Sequence, residues 1–120
     1  MDIKSKKQLG MIGEKIAADY LTAKGYFVVK KNFRTRDGEI DLICTKAKEI
    51  IFVEVKSRRN RRFGWPEEAV TDTKIDKIIS AGQTYLDNNK INLPWRIDVI
   101  SIIFNPKNVE IKHLINIIRT

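Results

Sequence analysis

The stretch from Gly38 to Lys56, GEIDLICTKAKEIIFVEVK, leaves this chain few ways to fold. Glu39 to Thr45 and Ile50 to Lys56 alternate or saturate with β-formers on either side of a polar connection, Lys46-Ala47-Lys48-Glu49. That pattern predicts an antiparallel hairpin. With those residues as a four-residue loop, Thr45 faces Ile50. One face is then wholly apolar, with Ile40 opposite Val55, Leu42 opposite Val53 and Cys44 opposite Ile51. On the other face Ile43 meets Phe52, Asp41 meets Glu54 and Glu39 meets Lys56. A slip of one residue would mix the two sets, so the pattern itself specifies the register.

The second face is apolar near the turn and charged at its far end. Opposed Cβ atoms sit about 5 Å apart, so Asp41 and Glu54 would share one small site. At an effective dielectric of about 20 their repulsion is roughly 3 kcal/mol. A divalent cation removes that penalty, and carboxylate oxygens are what Mg²⁺ takes. Lys56, two residues after Glu54, puts an ammonium on the same face. Paired acids for a metal beside a fixed cation suit phosphodiester hydrolysis, in which water is activated and charge develops on phosphorus oxygens. The plainer alternative is a solvated strand end where Asp41 and Glu39 make weak surface pairs with Lys56.

Length and charge narrow the partners. A chain of 120 residues suits one domain with a single core. The excess of 23 Lys and Arg over 15 Asp and Glu gives a net charge of +8, which favours an anionic partner, nucleic acid before acidic membrane. The one cysteine, Cys44, has no partner for an internal disulfide and falls on the apolar face as a small core residue. With one histidine, His113, a histidine-rich zinc site is excluded, so a metal here would be hard and oxygen-bound. No signal-peptide core and no run of membrane-spanning length is present, which makes the cytoplasm the expected location.

Around the hairpin the remaining elements fall into place. Lys6 to Lys24 reads as a helix with Leu9, Gly13, Ile16, Ala17, Tyr20 and Leu21 on one side, ended by Gly25. Gly10 and Gly13 cost helix stability, so close packing against the sheet is the expected reason for both. Glu14 lies within about 20° of Leu21 on the helical wheel. It either joins Asp41 and Glu54 at a metal or leans out from the edge of the apolar stripe. Tyr26 to Arg34 reads as a strand, with Lys30, Lys31, Arg34 and Arg36 loading it and the following Asp37-Gly38 turn with positive charge.

After Lys56 comes SRRNRRFGWP, the most basic and least regular segment. Arg58, Arg59, Arg61 and Arg62 beside a phosphate-cleaving site would hold a backbone without reading sequence, and Phe63 and Trp65 add aromatic surface for bases or sugars. A merely solvated loop is the alternative. Pro66 opens a helical turn with Glu67 and Glu68. A second helix spans about Thr73 to Asp87, with Ile75, Ile78, Ile79, Gly82, Tyr85 and Leu86 as its stripe. Lys74 near its start is a candidate phosphate contact, since the helix dipole does not favour a cation there. Trp95 to Phe104 and Val109 to Leu114 read as strands, and the apolar tail INIIRT should dock.

Helix, three strands, helix, strand, with an acid in the second strand and E-x-K in the third, resembles the PD-(D/E)xK nuclease core of restriction endonucleases and archaeal Holliday-junction resolvases. More closely, GMIGEKIAADYLTAKGY, KNFRTRDGEIDLI, IFVEVKSR, FGWPEEAV and RIDVI resemble the bacterial YraN family of nuclease-like proteins, over nearly the whole chain. The resemblance implies an α/β fold with a restriction-endonuclease-like αβββαβ core, a mixed central sheet flanked by helices. By it, Asp41 and Glu54 match the metal-binding acids, Lys56 the catalytic lysine and Glu14 the acid of the first helix. Ile40 stands where the superfamily's name has proline, and Gln83-Thr84-Tyr85 only approximates the Q-x-x-x-Y element of recombination nucleases.

The expected activity is therefore a Mg²⁺- or Mn²⁺-dependent endonuclease acting on DNA. Asp41 and Glu54 would hold the metal, with Glu14 directly or through water, while Lys56 positions water. Arg58, Arg59, Arg61, Arg62 and Lys74 would bind the nucleic acid. The alternative is a non-catalytic nucleic-acid-binding module on a nuclease-like fold, in DNA repair, recombination or uptake. A third idea, an adaptor whose apolar tail pairs two copies into a homodimer, has only that tail in its favour.

Overall fold

The computed structural model describes residues 5–60, 62 and 64–119. Helix α1, Lys6–Ala23, begins where the Ser5 hydroxyl accepts a hydrogen bond from the Gln8 amide at 3.1 Å. It buries Leu9, Gly13, Ala17, Ala18 and Leu21, the spacing of one helical face. Gly13 has the expected role, because a Cβ there would fall 1.9 Å from Ser57 Oγ. Gly10 does not: nothing lies within 4 Å of its position. It borders open space at the mouth of the cleft described below rather than a packed contact.

The sheet has five strands in the order β1-β2-β3-β4-β5, formed by Phe27–Arg34, Glu39–Lys46, Glu49–Arg58, Trp95–Phe104 and Val109–Arg119. Neighbours are antiparallel except β3 and β4, which run parallel. A parallel pair needs a crossover, and here it is supplied by a 3₁₀ turn, Pro66–Ala69, followed by helix α2, Asp72–Asn88. The result is the expected α/β architecture, a mixed sheet with a helix on each face. Among the described residues no helix is long and apolar enough to cross a membrane.

The hairpin keeps the expected register near its turn, with Leu42 opposite Val53, Ile43 opposite Phe52, Cys44 opposite Ile51 and Thr45 opposite Ile50. Two details differ. Lys46 also pairs with Glu49, so the loop is the two residues Ala47 and Lys48, at φ +50° and +61°. Both in the left-handed region is what a tight hairpin's twist requires. The β2–β3 ladder also stops at Leu42 and Val53, so the expected pairs Ile40–Val55, Asp41–Glu54 and Glu39–Lys56 do not form.

The stop coincides with irregular backbone in the neighbouring strand and has a consequence for the faces. Asn32, in the neighbouring strand β1, sits at φ +50°, and the β1–β2 ladder has a second irregularity between Val28 and Lys30. Leu42, Cys44, Ile51 and Val53 pack under α1 with Ala17, Ala18 and Leu21. Ile40, expected beside them, packs instead on the opposite face with Ile43, Ile50, Phe52 and, from α2, Ile78, Ala81 and Leu86. Strict alternation therefore fails around Asp41.

Strand β4 is buried along almost its whole length on both faces, as a strand covered by two helices should be. Two of its buried residues are charged, Arg96 and Asp98. Arg96 Nε lies 2.9 Å from Asp98 Oδ1, Nη1 2.7 Å from Glu49 Oε1, and Nη2 donates to the Tyr26 hydroxyl at 2.8 Å. Asp98 also meets His113 Nε2 at 2.8 Å and accepts from the Asn116 amide at 2.9 Å. Burial alone would raise the Asp98 pKa, but the bonds from His113, Arg96 and Asn116 outweigh it and hold the carboxyl below the ordinary range. The tail docks as expected, by extending β5 to Arg119 across a register shift opposite Ile97 and Val99.

Candidate metal and nucleic-acid cleft

Where β2 parts from β3, an open cleft of about 780 Å³ lies between the first turns of α1 and the start of α2. Into it come Glu14 from α1, Glu39 and Asp41 from β2, Glu54 and Lys56 from β3, and Lys74 from α2. Arg58, Arg59 and Asn60 extend the wall beyond Lys56. Most residues that the sequence singled out for chemistry thus line one depression. Arg62 and Trp65 are exposed and are not part of the lining, and Arg61 and Phe63 lie outside the described residues.

Asp41 and Glu54 come together by a route the ladder did not predict. Asp41 Oδ2 accepts a hydrogen bond from the Val55 amide at 2.8 Å, so its side chain spans the gap that the forked strands leave. Glu54 is only 2% exposed. Burial, then the Asp41 charge and a hydrogen bond shared with Asp41, push its pKa up to about 8, against the pull of Lys74 and Lys56. Glu54 Oε2 lies 3.8 Å from Lys56 Nζ and 3.6 Å from Lys74 Nζ. Glu54 Oε1 is buried with no hydrogen-bond partner among the described residues.

Glu14 stands on the cleft side of α1, half-buried. Burial first, and then the Asp41 charge, raise its pKa, while a hydrogen bond with Asn32 and the charge of Arg34 oppose the rise. Glu14 therefore lines the same cleft as Asp41, close enough for the two charges to interact. Lys74, expected as a phosphate contact, pairs with the buried acid.

The sequence did not single out Asn32 or Ser57. Asn32 steadies Glu14 from a strained strand position, and the one available signal is that Asn tolerates positive φ better than most residues. Ser57 carries a buried hydroxyl without a partner among the described residues, pressed against Gly13.

The donor set fits a hard divalent cation in one respect and limits it in another. A buried carboxylate with a raised pKa, an unpartnered oxygen and an acidic neighbour is a site where a cation relieves a real electrostatic cost. Among the described residues, however, no group of three or more Asp, Glu, His or Cys side chains is arranged as a metal cage. Two carboxylates would leave the rest of the shell to water, which is how Mg²⁺ is usually held.

Comparison with known proteins places the chain in a family. The model of the family described as "Uncharacterised protein family UPF0102" matches residues 13–102. A UPF0102 protein of Syntrophomonas wolfei is 47% identical over 111 residues, covering 92% of this chain and 96% of that one. One from Clostridioides difficile is 45% identical over 113 residues, covering 93% and 97%. A solved structure, titled "Crystal structure of SSO0001", aligns over 90% of this chain and 50% of that chain at 14% identity and a TM-score of 0.38, a likeness too slight to argue from. The chain belongs to the UPF0102 family, in agreement with the YraN resemblance of its motifs.

Proposed function

We propose that this UPF0102 protein is a divalent-metal-dependent nuclease that hydrolyses phosphodiester bonds in DNA. The observation that carries the reading is Glu54: a buried carboxylate set against Asp41, with one oxygen unpartnered among the described residues and two lysines on the other. Stability alone would not select that arrangement, because each buried charge is costly unless fully paired. Asp41 and Glu54 would hold Mg²⁺ or Mn²⁺, with Glu14 acting through a water of its shell. When bound, such an ion lowers the pKa of water and neutralises charge at the phosphate.

The chain's own groups supply the rest. Lys56 sets its ammonium at the cleft wall, where it can orient the attacking water and offset charge that develops on the phosphoryl oxygens. Arg58 and Arg59, on the same wall, suit a backbone phosphate on either side of the cleaved bond. Arg62 and Arg61 follow in the same basic segment, and the net charge of +8 favours the approach of a polyanion.

The test is cleavage of DNA by pure protein with Mn²⁺, expected for the wild type and lost in Asp41→Ala and Lys56→Ala. Equal activity in those variants would assign the cleavage to a contaminant. The ion pairs of Glu54 with Lys56 and Lys74 favour a second reading, a binding module whose acids are neutralised from within the chain. That reading predicts salt-sensitive DNA binding that survives Asp41→Ala and Glu54→Ala, without cleavage.

A further inference from the structure

The segment that leaves the arginine-rich stretch is anchored more firmly than a connection requires. Gly64, at φ +97°, lines the cleft, and a side chain there would collide with the Glu68 carboxylate. That carboxylate accepts from the Trp65 amide, and Pro66 is buried. Glu67 then reaches over the sheet: Oε1 accepts from Ser101 Oγ at 2.8 Å and Oε2 pairs with Lys112 Nζ at 2.5 Å. Burial alone would raise the Glu67 pKa, but bonds from Lys112, its own backbone and Ser101 outweigh it and hold the group ionised. The Lys112 ammonium in turn lies 4.6 Å from the centre of the Trp65 ring.

An indole is thereby fixed in position while 41% exposed, whereas Trp95, which packs the core, is 8% exposed. Its placement is also specific. Ser101 stands opposite Lys56 on one side and Lys112 on the other, so Lys56, Ser101 and Lys112 form one row across β3, β4 and β5. Two strand spacings, roughly 10 Å, separate the ends of that row. An indole held beside a basic cleft and 41% exposed puts aromatic surface next to backbone-binding cations, the combination used to hold single strands.

We propose that Trp65, held by Glu67 and Lys112, is a stacking platform for an unpaired base, so that the preferred substrate carries single-stranded nucleotides beside the cleft. Bases within a duplex are stacked on one another and present only their edges in the grooves. A π-face becomes available where the strand is unpaired. The inference rests on the nucleic-acid reading above and narrows its substrate class. Glu67 is a positioning residue in this scheme, since it acts through Lys112 and Ser101.

Fluorescence and affinity test the proposal without divalent cations, so that no cleavage intervenes. The chain has two tryptophans, and in a Trp95→Phe background emission reports on Trp65 alone. Oligothymidylate is expected to quench it, and a blunt duplex to leave it nearly unchanged. Trp65→Ala should weaken oligothymidylate binding about tenfold and leave duplex affinity unchanged. Trp65→Phe, in a chain that keeps Trp95, should retain most of the affinity. Glu67→Gln adds one positive charge, so net charge predicts tighter binding, whereas the clamp predicts a loss of several-fold. Unmoved emission, or equal affinities in Trp65→Ala and wild type, would overturn the stacking platform. A wild type that binds neither DNA would instead overturn the nucleic-acid reading beneath it.

Discussion

Asp41 Oδ2 accepts a hydrogen bond from the Val55 amide at 2.8 Å, just past the last β2–β3 pair, Leu42 with Val53. A carboxylate thus takes a backbone donor that regular pairing would have left to a carbonyl. The fork this creates has two effects. It opens the cleft between α1 and α2, and it turns Asp41 toward Glu54 from the end of β2 instead of from directly opposite. The acids meet because the sheet is interrupted there.

That meeting makes stability depend on pH in a definite direction. The Glu54 pKa rises from the ordinary 4.5 to about 8 in the folded chain. Between those values the folded state binds more protons than the unfolded state, so stability falls as pH rises through the window. Glu14, also raised, acts in the same direction. Without divalent metal, the thermal midpoint of the wild type should therefore drop between pH 5 and pH 8. Glu54→Gln should flatten most of that slope, as measured by circular dichroism melts. A slope that survives in Glu54→Gln would show that another group carries it.

The Asp98 network predicts the opposite behaviour at acid pH. Asp98 is wholly buried and its pKa is held below the ordinary 3.8. Its contribution is complete above the unfolded value and disappears as pH falls through the folded one. Asp98→Ala strands Arg96 and His113 in the core and should cost about 3–5 kcal/mol. Urea titration at pH 7 measures it, and a loss under about 1 kcal/mol would mean that water or the Glu49 and Tyr26 partners compensate.

How far the sequence could be read follows from where side-chain period and backbone geometry agree. Leu42, Cys44, Ile51 and Val53 were legible because alternation and burial coincide there. Ile40 was not, because the alternation breaks around Asp41, and no residue type in GEID announces the break. Glu14, Asp41, Glu54 and Lys56 were each legible as candidates by type and spacing, and the structure brings them to one cleft. The partner of Lys74 was hidden, since nothing local says which sheet residue α2 will approach. The Arg96–Asp98 centre was equally hidden: its partners come from Tyr26, Glu49, His113 and Asn116, which are distant along the chain.

The β2–β3 turn was misjudged for a reason that itself predicts an outcome. A two-residue loop with both φ values positive normally carries Asn-Gly, and here it carries Ala47-Lys48. Each non-glycine residue in that region costs roughly 1 kcal/mol or more. Replacing the pair by Asn-Gly should thus stabilise the protein by about 1–2 kcal/mol. Chemical denaturation measures the gain. A loss on substitution would mean that Ala47 or Lys48 makes contacts that outweigh the strain.

Gly13 and Ser57 lend themselves to a double-mutant cycle, because they sit where α1 presses closest on β3. A Cβ at position 13 would lie 1.9 Å from Ser57 Oγ and 3.2 Å from Ser57 Cβ. The hydroxyl is therefore the main obstacle, and it is buried without a partner among the described residues. Ser57→Ala removes an unsatisfied group and should be neutral or stabilising by about 1 kcal/mol. Gly13→Ala alone gains roughly 1 kcal/mol of helix propensity but incurs an overpacking cost of about 1–3 kcal/mol, so a modest net loss is expected. In the Ser57→Ala background the collision is relieved and the propensity gain remains, which makes the coupling favourable by about 1 kcal/mol or more. Additive effects in urea denaturation would instead mean that α1 shifts as a body to admit the methyl. In that case the Glu14 carboxyl, one residue along the helix, should move with it and bring a change in the acid-to-neutral stability profile.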